Sequence, residues 1–157
     1  MATPNKIVLG GDPRQKEDTA GATVTPGELL EFAADGDLQP HSTAPATDAD
    51  GSAQTMFADR GFGNSDIDTD YSAGEEVRYV IGRRGDEIYA FLADGEDVSK
   101  GDALESNGAG ALQAHTGSAD SDSTSTQTYY DGAIVAYAAE DLNNSSGSPS
   151  RIKVECA

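Results

Sequence analysis

The side chains best suited to acid–base work or metal binding are two histidines, His41 and His115, the only imidazoles in the chain. Both end similar stretches of sequence. A paired-histidine site is one reading; the other is that a duplication copied both to the point where a strand meets a loop. Neither stands in a Cys-x-x-Cys or His-Glu-x-x-His frame, and the residues favour the second reading. Asp66-Ile67-Asp68-Thr69-Asp70 opens like an EF-hand calcium loop. That loop needs Gly at its sixth position and Glu at its twelfth, where Tyr71 and Val77 stand. What remains is a looser cation site drawn from Asp66, Asp68, Asp70, Glu75 or Glu76, or a solvated acidic loop.

Arg60-Gly61-Phe62-Gly63-Asn64 places a cation and an aromatic ring in a glycine-rich loop. Arg60 and Phe62 are therefore candidate partner contacts, since both types are enriched in interface cores. The competing reading folds the ring onto its own sheet. The single cysteine, Cys156, excludes an intrachain disulfide and reads as a small apolar residue of a last strand, with a bridge between chains as the alternative. Asn143-Asn144-Ser145 and Asn144-Ser145-Ser146 fit the short glycosylation pattern. Gly10-Gly11 lacks the Lys-Ser/Thr of a phosphate loop, and no serine sits in Gly-x-Ser-x-Gly. No catalytic residue and no cofactor are assigned; the expectation is a protein that is not an enzyme.

Charge narrows the partners. Twenty-eight acidic residues against ten basic ones give a formal net charge of −18. Binding phosphates or an anionic lipid surface needs a basic face, so neither nucleic acid nor membrane is an expected partner. Self-repulsion at this charge works against compactness, and salt relieves it. Abundant Asp with only four lysines, Lys6, Lys16, Lys100 and Lys153, reads as adaptation to a hypersaline habitat. The N-terminus lacks a basic-then-apolar signal pattern, and no apolar run is long enough to span a bilayer.

The elements that must position these residues are strands. Glu76–Ile81, Glu87–Leu92 and Arg151–Cys156 alternate with period two; Lys6–Leu9, Leu29–Phe32 and 132–137 are shorter apolar runs. The spacing predicts a hairpin from Val77 to Leu92 through Gly82-Arg83-Arg84-Gly85. Ile, Leu, Val and Phe make up only 25 of 157 residues, a share at which disorder competes with folding and oligomer contacts become a source of stability. Residues 42–55, 116–128 and 143–150 are low-complexity and read as exposed loops or disordered tips.

The chain also repeats itself. Val24-Thr25-Pro26-Gly27-Glu28-Leu29-Leu30-Glu31 matches Val98-Ser99-Lys100-Gly101-Asp102-Ala103-Leu104-Glu105, and Gly36, Leu38, Gln39 and His41 fall on Gly110, Leu112, Gln113 and His115. Each copy, 24–41 and 98–115, reads as turn, strand, turn, strand, and the two are expected to pack about a pseudo-twofold axis. Lys6, Arg14 and Lys16 lie in a stretch broken by Pro4, Gly10, Gly11 and Pro13. Residues 1–16 therefore read as an extended arm and 17–157 as one all-β domain, barrel-like, with long polar loops.

The repeated Val-x-x-Gly-Asp/Glu-x-Leu unit, the Gly-x-Leu turns, the stretch Ala133-Ile134-Val135-Ala136-Tyr137-Ala138-Ala139-Glu140-Asp141 and the ending Arg151-Ile152-Lys153-Val154 follow one another in a telling order. In that order they resemble the lambda-type β-tulip head-decoration proteins of tailed viruses; with the acidity, a virus of haloarchaea. The resemblance implies a structural virion protein on the outer capsid surface. It also implies a homotrimer at threefold or quasi-threefold positions that binds the major capsid protein through the arm, with Lys6, Ile7, Val8, Leu9, Arg14 and Lys16 as contacts. The alternative class is a free-standing adhesion or fibre module that recognises glycan or cations.

Overall fold

The computed structural model describes residues 3–44, 53–63, 66–115 and 133–157. Almost all regular structure in them is strand, because alternate residues of a pleated strand face opposite sides and short period-two patterns bury one side. In β6 (Glu76–Ile81) Val77 and Tyr79 are buried, in β7 (Glu87–Leu92) Ile88, Ala90 and Leu92, and in β13 (Ser150–Cys156) Ile152, Val154 and Cys156. The protein is all-β, as its sequence predicts, and β6 and β7 have the predicted bounds. Tyr71, Tyr79, Tyr89, Met56 and buried alanines enlarge the core beyond what the scarce Ile, Leu, Val and Phe provide.

The second half closes into a ring. β7 pairs antiparallel with β13, from Leu92 opposite Ser150 to Glu87 opposite Glu155. β13 pairs with β11 (Ala136–Ala138), β11 with β9 (Ala103–Ser106), and β9 with β10 (Leu112–Ala114). β10 returns to β7 through a parallel contact of Leu112 with Leu92. Ile88, Leu92, Leu104, Leu112, Ile152 and Val154 are fully buried within this five-stranded barrel.

The first half repeats the ring in looser form. β2 (Arg14–Thr19) pairs antiparallel with β6, β6 with β5 (Met56–Ala58), and β3 (Leu30–Phe32) with β4 (Leu38–Pro40). Single bridges, Leu29–Phe57 and the parallel Ala20–Leu38, supply the other two sides. Residues 24–41 and 98–115 share one register: Glu31 lies opposite Gln39, and Glu105 opposite Gln113. Their turns match as well. The Thr25 N–H donates to Glu28 and the Ser99 N–H to Asp102, each at 2.8 Å. Gly27 and Gly101 follow at φ +98° and +97°, a backbone region that favours glycine. The correspondence extends beyond these stretches, β2 to β7, β5 to β11 and β6 to β13. β8 (Asp97–Val98) with β12 (Leu142–Asn143) mirrors the bridge of Val24 with Tyr71.

The halves stack head to tail, which replaces the expected pseudo-twofold packing. Leu29, Phe57 and Val80 point out of the first ring, are 0 % exposed and belong to the core of the second. Their counterparts Ala103, Tyr137 and Glu155 point away from the interface, and Tyr137 is 39 % exposed. A twofold arrangement would bury both sets alike.

One further expectation is corrected. β6 and β7 do not form a hairpin, because their edges are taken by other strands, and the link 82–86 crosses from one ring to the other. Along it the Gly82 N–H donates to the Thr55 carbonyl at 2.8 Å and the Gly85 N–H to the Cys156 carbonyl at 3.0 Å. The stretch 143–150 is an exposed loop, the first of its two readings, pinned by one buried side chain. Asn144 is 2 % exposed; its Nδ2 donates to the carbonyls of Leu92, Ala93 and Ser148, and its Oδ1 accepts from the Ser146 and Ser150 hydroxyls. That side chain is engaged, so the Asn144 glycosylation pattern is closed in the folded chain. Most of the other two low-complexity stretches, 45–52 and 116–128, lies outside the described residues.

Candidate partner-binding surface

The histidines lock the two matching hairpins. His115 Nδ1 donates to the buried Glu105 carboxylate at 2.6 Å, which also accepts from Gln113 at 3.1 Å. In the first copy Gln39 donates to Glu31 at 2.7 Å, and His41 Nε2 lies 3.6 Å from the same carboxylate. His41 is 4 % exposed, and its Nδ1 shares a 2.8 Å hydrogen bond with the Ser106 hydroxyl of the other hairpin. Burial holds His41 below the ordinary imidazole value against the opposing pull of Glu31. For Glu31, burial pushes upward, but donors from Ser42 and Gln39 and the nearby His41 together bring it below the usual carboxylate value. Among the described residues, no three His, Cys, Asp or Glu side chains are grouped to hold a metal.

The acidic loop binds an internal cation. Asp66 accepts from the Asp68 N–H at 3.0 Å and the Thr69 hydroxyl at 2.9 Å; Asp70 accepts from the Thr25 hydroxyl at 2.8 Å. Asp68 pairs with Arg151, whose Nη2 donates to the Pro26 and Ile67 carbonyls at 2.8 and 2.6 Å. The same guanidinium lies 4.4 Å above the Phe91 ring. Arg151 thus fastens the 66–70 loop and the turn at Pro26 to the second ring.

The N-terminal segment is fastened from Ile7 onward. Ile7 is 0 % exposed in the second ring's core, and Val8 and Leu9 pack partly against it, so Ile7 is not an available contact in the folded chain. β1 (Val8–Gly10) pairs antiparallel with β7 at Ile88 and Glu87. Arg14 and Lys16 belong to β2. Lys6 is exposed.

The structure brings Arg14, Lys16 and Phe62 to the same part of the molecule. Phe62 is 80 % exposed, and its ring stacks on the Arg78 guanidinium at 4.4 Å. Arg78 also pairs with Asp59 at 3.4 Å. A cleft of about 490 Å³ opens beside the stack, lined among others by Glu17, Asp70, Tyr71, Glu75 and Glu76. Arg60 instead holds the N-terminal segment, donating to the Asn5 carbonyl at 3.3 Å. Arg78 and Glu17 carry no motif, and sequence reasoning passed over them. The one signal for Arg78 is its place between Val77 and Tyr79, which turns it to the outer face of β6.

Cys156 is 1 % exposed inside the second ring, and burial pushes its thiol up to about 12, with Asp86 and Glu155 adding to the effect. A buried thiol of this kind is not available for a bridge between chains.

No protein-family model and no curated protein matches the sequence. Among solved structures, the chain is similar to the head fiber gp8.5 N base of bacteriophage phi29, with TM-score 0.48 and 14 % identity over 92 % of this chain and 93 % of that one.

Proposed function

We propose that the protein is a structural component of a virus particle, bound to the outer surface of the capsid, where it contacts the major capsid protein and stabilises the shell. The observation that carries this reading is an order of short motifs that resembles the one in lambda-type head-decoration proteins. That order maps onto one ring. The Val98–Gly101 turn, the β9–β10 hairpin, the Ala133–Asp141 stretch containing β11, and the Arg151–Val154 portion of β13 are connected parts of the second barrel. The same reading gives a homotrimer at threefold or quasi-threefold positions and a tailed virus of haloarchaea as source, where molar salt screens a net charge of −18. The negative surface suits a protein partner rather than a nucleic acid.

Sedimentation velocity in molar salt tests the oligomer, and electron microscopy of shells mixed with the protein tests the position. A trimer that appears as knobs on threefold axes fits the proposal. A monomer, or knobs at other sites, contradicts the trimeric arrangement.

A further inference from the structure

The duplication exposes an edge that one half covers and the other leaves open. Aligning β2 with β7 through their partners β6 and β13 makes Glu17 the counterpart of Tyr89 and Thr19 the counterpart of Phe91. In the second ring these two amides turn away from β13. The Tyr89 N–H donates to the Ile7 carbonyl at 2.8 Å and the Phe91 N–H to the Gly27 carbonyl at 3.3 Å, while β1 lies along the same edge. In the first ring the Thr19 N–H turns instead to the Asp18 carboxylate at 2.9 Å. The edge from Arg14 to Asp18 pairs with no strand among the described residues.

The side chains along this edge complete the picture. All six β2 residues are exposed. Arg14 and Lys16 share one face with Asp18 at its far end, and neither cation has an ion pair among the described residues, although the chain holds 28 acidic side chains. On the edge's flank, Phe62 and Arg78 together with Gln15, Lys16 and Glu17 line a cleft of about 190 Å³, room for one side chain. A lysine-bearing edge resists unselective pairing but accepts a strand of opposite charge, whose main chain supplies affinity and whose side chains supply selectivity.

We infer that the free edge of β2 accepts an extended, carboxylate-bearing segment of the capsid protein as an added strand, in the place that β1 takes on β7. Carboxylates on the incoming strand face Arg14 and Lys16, and a side chain from it enters the cleft beside Phe62. This rests on the capsid-binding reading and goes beyond it by naming the edge and the partner's chemistry.

The test measures binding of the full chain to undecorated shells at 0.15 M salt. The double variant R14E/K16E is expected to bind at least about tenfold more weakly, since it places like charges across the interface. E17P removes the amide that corresponds to Tyr89 N–H and is expected to abolish binding. R84E, at an exposed cation on the link between rings, serves as the control and leaves binding unchanged. Circular dichroism of each variant establishes that the rings are intact. If the parent binds and R14E/K16E, folded, binds equally well, the edge is not the contact and the inference falls while capsid binding stands. If the parent binds neither at 0.15 M nor in molar salt, the capsid reading fails and takes the inference with it. If the free protein forms a dimer that R14E/K16E dissolves, the edge pairs with a second copy, which also overturns the inference.

Discussion

Phe57 and Tyr137 occupy the same position in the two rings, yet Phe57 is 0 % exposed and Tyr137 39 %. Both are central residues of their strands and both point out of their own ring; only Phe57 meets a second ring. Replacing Phe57 by Ala is expected to cost about 3–5 kcal/mol, the usual loss for a buried aromatic. Tyr137→Ala should cost under about 1 kcal/mol, because half-exposed positions lack a cavity to create. Denaturant unfolding of the two variants checks this. Equal losses would contradict the head-to-tail stacking.

The N-terminal segment belongs to the folding unit. Removing residues 1–16 deletes Ile7 from the second core, strips β1 from β7 and shortens β2. The truncated chain should melt well below the parent, and Ile7→Ala alone should lose about 2–5 kcal/mol. Thermal melts by circular dichroism decide it: a truncation that melts with the parent would restore the independent arm that the sequence suggests.

Gly82 and Cys156 form a close pair at the passage between rings. A Cβ on Gly82 would meet Cys156 Sγ at 2.3 Å. Gly82→Ala should destabilise by about 1–3 kcal/mol through overpacking, and Cys156→Ala in the same chain should recover part of that loss. The thiol, pushed up to about 12 by burial, should react with a disulfide reagent only after the chain unfolds. Thiol titration in buffer and in denaturant reads this directly, and prompt reaction of the native protein would contradict the burial.

How much of this was legible in the sequence varies with the strand. β6, β7 and β13 carry apolar residues at alternate positions, and alternation finds them. β2 reads Arg-Gln-Lys-Glu-Asp-Thr, with no apolar residue to mark a face, so only its pairing with β6 reveals it. The duplication was visible only where loop lengths agree. From Leu30 to Leu104 the offset is 74 residues, but from Phe57 to Tyr137 it is 80, and a constant-offset comparison loses the match. Pairing of β6 with β7 was inferred from a short link, which does not report that each strand's edges are already occupied. Phe62 was legible as an aromatic in a glycine-rich loop; its stacking on Arg78 was not, since the two are brought together by the fold alone.

His41 gives the protein an acid-sensitive joint between its hairpins. Its folded-state affinity for a proton is lowered by burial, so the unfolded chain takes up the proton first. Stability is then complete above the unfolded value of about 6.5 and declines as pH falls below it. Melting temperature should drop between pH 7.5 and 5, and His41→Gln, which keeps a partner for Ser106, should flatten that part of the curve. A parent curve that is level across this window would contradict the role given to His41.

The most direct measurement is cosedimentation of the purified protein with undecorated capsids in molar salt, followed by heating of the pellet. A fixed, saturable number of copies per shell and a higher disruption temperature for the shells that carry them are expected. Protein that stays in the supernatant, or that pellets without raising that temperature, would contradict the claim that it binds and stabilises a capsid.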